Sequence, residues 1–258
     1  MCYLATIIPT KKNKKLSEET QKAFLEIMVA KINANPHGFA MLTSAGQKIR
    51  TLNPKIFYKM IEKNIETDFD FMVFHARYAT AGDMNYQNIH LWDIDGWHFG
   101  HNGWTGRNRT KNVKSDSLLF FEELAEKINT TDKKDDSITK AINETAISHN
   151  FTGRAMLLSP NNEKMYLFGD FEVYVLDDCI IISSATISFE YSVISYGLAF
   201  DKEIESLNQN IEGVYTFDFE LSEFKFLANN AEHPKEYTNR TIDFNRSVGF
   251  GFDYDHNY

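Results

Sequence analysis

Four short stretches carry side chains that could do chemistry together. The first is Cys2. Removal of Met1, common before a small residue, would leave a free α-amine and a thiol on one residue. An α-amine titrates near about 7.7–8.0, which suits a general base at neutral pH. A thiol that loses its proton is a strong nucleophile. Taken alone, a cysteine at this position is more often an apolar filler. The second stretch is His75-Ala76-Arg77-Tyr78-Ala79-Thr80-Ala81-Gly82, directly after an apolar run. Arg77 offers the planar fork that suits a carboxylate, and Thr80 emerges beside it. The third is Phe99-Gly100-His101-Asn102-Gly103-Trp104. The amide of Asn102 and the N–H of Gly103 would make an oxyanion hole, whereas the plain reading is an Asn-Gly turn. The fourth is Ser115-Asp116-Ser117, where Ser115 caps a helix and Asp116 favours its first turn. Capping leaves room for a second role of Asp116.

The elements that must position these residues follow from pattern. Cys2 to Ile8 is short, apolar and rich in β-formers, which predicts a buried strand almost at the start. Ser17 caps a helix whose apolar residues are Phe24, Ile27, Met28 and Ile32, stopped at Asn35-Pro36. Strands are predicted at His37–Leu42, Phe69–His75 and Trp97–His101, the last ending at Asn102-Gly103. Asn53-Pro54 opens a second helix, Ser115 a third, and a further one runs from about Ser137 to Ser148. From Arg154 to Phe226 strand follows strand, including one at Val193–Ile194. Buried antiparallel sheets with helices on both outer faces fit this order.

The chain has 258 residues, 43% hydrophobic, enough for one large core. No linker or composition break divides residues 1–232, which predicts one domain. Residues 233–258 turn polar and irregular, a tail that docks on a partner or packs on its own domain. The net charge of −9 argues against binding nucleic acid through its phosphates. The basic run Lys11-Lys12-Asn13-Lys14-Lys15 reads as a solvated turn. No apolar stretch approaches a membrane span, and no signal peptide is evident. With two cysteines, Cys2 and Cys179, a disulfide framework is not expected and a cytoplasmic setting is. His75, His90, His98 and His101 are not joined by cysteine or acidic residues at metal spacing, so no metal is expected. Phosphate-loop and dinucleotide fingerprints are absent, and no cofactor is expected.

In this order, the motifs resemble the glutaminase domain of class II glutamine amidotransferases, members of the N-terminal-nucleophile hydrolases. The matching residues are Cys2; His75, Arg77, Ala79, Thr80 and Gly82; Asn88 and His90; His101, Asn102 and Gly103; and Asp116. They lie in the first half of the chain. Departures are Tyr3 after the cysteine, and Leu91-Trp92 where the family has proline after its Asn-x-His unit. The resemblance implies an α+β, four-layer αββα sandwich in a stand-alone glutaminase. It implies that Cys2 attacks the side-chain amide of glutamine and that its own α-amine passes the proton to departing ammonia. Asn102 and Gly103 would hold the oxyanion, Arg77 and Thr80 the α-carboxylate, and Asp116 the α-ammonium. His75, His101, Asn88 and His90 would be scaffold near the site. Ammonia would go to a separate synthetase. The competing readings are a γ-glutamyl-peptide hydrolase or other N-terminal-cysteine amidohydrolase, and a non-catalytic binding subunit.

Overall fold

Tyr3–Pro9 is buried along its whole length, so this strand, β1, is covered on both faces. The computed structural model describes residues 2–10, 15–106, 114–169, 171–176, 178–185, 187, 213–219 and 223–229. After β1 come α1 (Glu18–Ala34), β2 (Phe39–Thr43), β3 (Lys48–Thr51), α2 (Pro54–Ile65) and β4 (Met72–Ala76). Next are β5 (Trp92–Ile94), β6 (Trp97–Thr105), α3 (Asp116–Asn129), α4 (Asp135–Ser148) and β7 (Phe151–Leu158). The described part ends with β8 (Lys164–Phe168), β9 (Glu172–Val175), β10 (Cys179–Ser183), β11 (Gly213–Asp218) and β12 (Glu223–Asn229).

The strands form two sheets, ordered β3-β2-β4-β1-β10-β9 and β12-β11-β8-β7-β6-β5. Every adjacent pair is antiparallel. Alternation along β1 sends Tyr3, Ala5 and Ile7 to one side, where they meet Phe24 and Met28 of α1 and Phe57 and Ile61 of α2. Leu4 and Ile8 point the other way, into a layer shared with Met156, Leu158, Met165 and Leu167 of the second sheet. That sheet's outer face, through Phe99, Leu157 and Phe168, packs on Phe121 and Leu124 of α3 and Ile138 and Ile142 of α4. The three cores define four layers, helices–sheet–sheet–helices, as expected.

The caps are as predicted. The side chain of Ser17 accepts from Thr20 N–H, that of Asn53 from Lys55 and Ile56 N–H, and that of Ser115 from Leu118 N–H. Two expectations need correction. Asn102-Gly103 does not end a strand: β6 runs on to Thr105, with Asn102 opposite Arg154 and Gly103 opposite Gly153 of β7. The short edge strands β3 and β5 were not anticipated. Lys48–Thr51 has Ile49 as its one apolar residue and is never fully buried, so it lacks the apolar signal of a covered strand. The lysine run at 11–14, the strand at Val193–Ile194 and the tail 233–258 lie outside the described residues.

Candidate active site

Cys2 precedes β1, whose register puts Tyr3 opposite Ala76 at the end of β4. The segment leaving β4 therefore passes the thiol. Tyr78 N–H donates to Cys2 Sγ at 3.4 Å, and Sγ lies 3.6 Å from the Tyr78 carbonyl. Burial pushes the thiol above its ordinary value. The Tyr78 backbone and the Arg77 charge pull it down, and Asp116 pushes it up.

Segment 77–79 is pinned from the loop before β2. His37 N–H donates to the Arg77 carbonyl at 3.0 Å, and Arg77 N–H to the Gly38 carbonyl at 2.8 Å. Ala79 N–H donates to His37 Nδ1 at 2.9 Å. His37 was not singled out from sequence, where it stands apart from the other motifs.

Arg77 is buried and turns its guanidinium on the chain just ahead. Nη1 donates to the Asp83 carbonyl at 2.9 Å, and Nη2 to the Ala81 carbonyl at 2.7 Å. These bonds fix the loop that carries Thr80, which is exposed in a bend. Burial lowers the Arg77 pKa, opposed by Cys2, Asp116 and Asp83.

Asp116 begins α3. Its Oδ2 accepts from Thr105 N–H at 2.8 Å and its Oδ1 from Ser117 N–H at 2.9 Å. Asn88 links this helix start to the Arg77 loop: Nδ2 donates to the Asp83 carbonyl at 3.0 Å, and Oδ1 accepts from Ser115 N–H at 2.7 Å. Gly82, at φ 68°, is needed at that contact, because a Cβ there would stand 2.8 Å from Ser115 N.

Asn102 is buried, and its Nδ2 donates to Ser184 Oγ at 2.9 Å. Its Oδ1 is buried with no hydrogen-bond partner among the described residues. Gly103 is sterically required: a Cβ would lie 2.0 Å from the Thr152 carbonyl oxygen and 2.6 Å from His101 Nε2.

Behind these groups, three histidines form a neutral chain. His75 Nε2 lies 3.2 Å from the His101 carbonyl, and His101 Nε2 lies 3.0 Å from the Thr152 carbonyl. A carbonyl only accepts, so each of these nitrogens carries the proton. His101 Nδ1 then accepts from Ser117 Oγ at 2.9 Å, and His90 Nδ1 accepts from His101 N–H at 3.2 Å. The rings of His75 and His90 stack at 3.8 Å. Burial depresses all three, His75 to about 3, His101 to about 4 and His90 well below its ordinary value. Leu91, next to His90, has φ 54°, a left-handed conformation unusual for leucine. No group of three or more histidine, cysteine or acidic residues among the described residues could hold a metal.

No protein-family model and no curated protein matches this chain. Solved structures do. The glutamine phosphoribosylpyrophosphate amidotransferase from B. subtilis, complexed with ADP and GMP, matches over 85% of this chain and 48% of its own, with TM-score 0.52 and 12% identity. A predicted glutamine amidotransferase from Pseudomonas aeruginosa PA01 matches over 72% of this chain and 80% of its own, with TM-score 0.39 and 12% identity. This chain therefore spans about half the length of the first of these. The fold is α+β, two antiparallel sheets between helices, consistent with the N-terminal-nucleophile hydrolase fold of the B. subtilis enzyme.

Proposed function

We propose that this protein hydrolyses the side-chain amide of glutamine through Cys2, giving glutamate and ammonia. The observation that carries this reading is how three groups are tied together: the backbone of Tyr78, next to Arg77, contacts the Cys2 thiol, and Asn88 joins the Arg77 loop to the start of α3 at Asp116. A nucleophile between a fixed cation and a fixed anion selects a free amino acid by its two charged ends. The N–H donors of Arg77 not spent on the 81–83 loop take the α-carboxylate, with Thr80 beside them, and the Asp116 carboxylate takes the α-ammonium.

The raised thiol pKa means that Cys2 needs a base at neutral pH. The nearby histidines do not supply it, since their hydrogen bonds commit them to the scaffold and burial disfavours their protonation. The α-amine exposed by loss of Met1 is the fitting base. It takes the thiol proton as Sγ bonds to the amide carbon. The carbonyl electrons move onto oxygen, where Asn102 Nδ2 and Gly103 N–H stabilise them. As the oxyanion collapses, the C–N bond breaks and the ammonium passes its proton to the leaving nitrogen. Water then cleaves the thioester and restores the thiol.

The ammonia is released for a separate synthetase. The test is ammonia and glutamate release from glutamine by the purified chain. Turnover should be lost in Cys2→Ala, and activity that survives this substitution would refute the assigned nucleophile. Turnover of γ-glutamyl peptides but not of free glutamine would move the assignment to that substrate class. A folded wild type that turns over neither, alone or with cell extract added, would point to a binding subunit.

A further inference from the structure

We propose that Ser184 is a positioning residue that sets the working orientation of the Asn102 amide. Ser184 directly follows β10 and is buried. Its own backbone is anchored, with its N–H donating to the Leu4 carbonyl at 2.8 Å. Its Oγ accepts from Leu4 N–H at 2.9 Å and from Asn102 Nδ2 at 2.9 Å. One hydroxyl therefore ties the nucleophile's strand to the residue assigned to the oxyanion.

In this arrangement Asn102 is poorly satisfied. Its Nδ2 donates to Ser184 Oγ at 2.9 Å and lies 3.5 Å from the Ser184 carbonyl, so both contacts of this two-proton donor are to Ser184, while its buried Oδ1 has no partner among the described residues. A buried acceptor left unpaired is destabilising, because it has given up its water without gaining a partner. A hydroxyl has one proton and two lone pairs, so Ser184 can meet either end of the amide. After a half-turn of the amide, Ser184 O–H donates to Asn102 Oδ1 and still accepts from Leu4 N–H. Oδ1 gains its partner, and Nδ2 becomes the free donor that an oxyanion requires. Alanine at 184 would remove the hydroxyl in both orientations.

The kinetic consequence rests on the glutaminase reading, whereas the hydrogen bond does not. Ser184→Ala should lower kcat for glutamine about tenfold or more and leave KM unchanged, since Arg77 and Asp116 are untouched. In an Asn102→Ala background the same substitution should change kcat by less than about twofold. Equal factors in the two backgrounds would overturn the proposal. Ser184→Cys, nearly isosteric but a much weaker hydrogen-bonding group, serves as the second variant if alanine prevents folding. NMR on the labelled full-length protein needs no glutamine. With Oδ1 accepting from Ser184, the Asn102 side-chain carbonyl carbon should move upfield in the variant, as that carbonyl loses its hydrogen bond. If this shift is seen but the wild type never turns over glutamine, the glutaminase reading fails and the Ser184–Asn102 link stands. An unchanged carbonyl resonance overturns the link, whatever the turnover.

Discussion

Arg77 has two duties. Its guanidinium holds the carbonyls of Ala81 and Asp83, and in the proposed reaction it also meets the substrate carboxylate. These duties separate under substitution. Arg77→Lys keeps the charge but loses the fork, and one ammonium cannot serve the loop and a carboxylate together. KM for glutamine should rise on the order of 10- to 100-fold, with a smaller fall in kcat. Steady-state kinetics checks this, and an unchanged KM would remove Arg77 from substrate binding. As candidates, these single residues stood out in the sequence. Cys2, Arg77, Asn102 and Asp116 each stand in a motif whose residue types suit one chemical task. What no motif carried was their partners. His37 lies before β2, and Ser184 lies 180 positions after Leu4. Such contacts arise from strand pairing over long separations, which local pattern does not encode.

At the scale of elements, the site depends on places where two backbones approach closely. Gly103 of β6 faces Gly153 of β7, where a Cβ on Gly153, at φ 99°, would lie 2.3 Å from the Asn102 carbonyl oxygen. Gly153→Ala should destabilise the fold by about 2–3 kcal/mol, from backbone crowding and a left-handed φ. Urea unfolding measures this, and a shift below about 0.5 kcal/mol would show that the two strands can separate without loss. Asn88 acts between elements. It reaches the Arg77 loop with one end of its amide and Ser115, at the start of α3, with the other. Asn88→Ala should therefore raise KM for glutamine by loosening the spacing between Arg77 and Asp116, with kcat less affected. An equal fall in kcat would show that Asn88 supports the nucleophile as well. Helix starts were legible because capping is local, as at Ser17, Asn53 and Ser115. The path of β6 through Asn102-Gly103 was not, because the same dipeptide that favours a turn also permits a close strand contact.

For the whole molecule, the four layers place three neutral histidines in or against the second sheet. His75 is held at about 3 and His101 at about 4, against an ordinary 6.5, and His90 lies well below it. Each imidazole binds a proton more readily in the unfolded chain. Its contribution to stability is fully present above about 6.5 and is lost progressively as pH falls toward the folded values. Glu123 acts in a lower window. There burial is outweighed by hydrogen bonds from His149, Lys127 and Ser148, which hold its carboxyl at about 2 against an ordinary 4.5. The urea midpoint should therefore begin to fall between about pH 7 and about pH 5, before carboxylates protonate. A midpoint that stays flat over this range would contradict the neutral histidine chain. Antiparallel sheets covered by helices were legible from the order of the elements, since residues 154–226 read as successive strands and the helices precede them, whereas the four layers followed from the family resemblance. Sheet order was not, since β1 pairs with β4 on one side and β10 on the other.

The central claim is that Cys2 is an N-terminal nucleophile directed at glutamine. The most direct test is the intact mass of the purified protein before and after incubation with a glutamine-like diazo-ketone. The account predicts loss of Met1 and one covalent adduct, absent in Cys2→Ala and suppressed by excess glutamine. A processed protein that never labels, even in cell extract, or one that labels equally in Cys2→Ala, would contradict it.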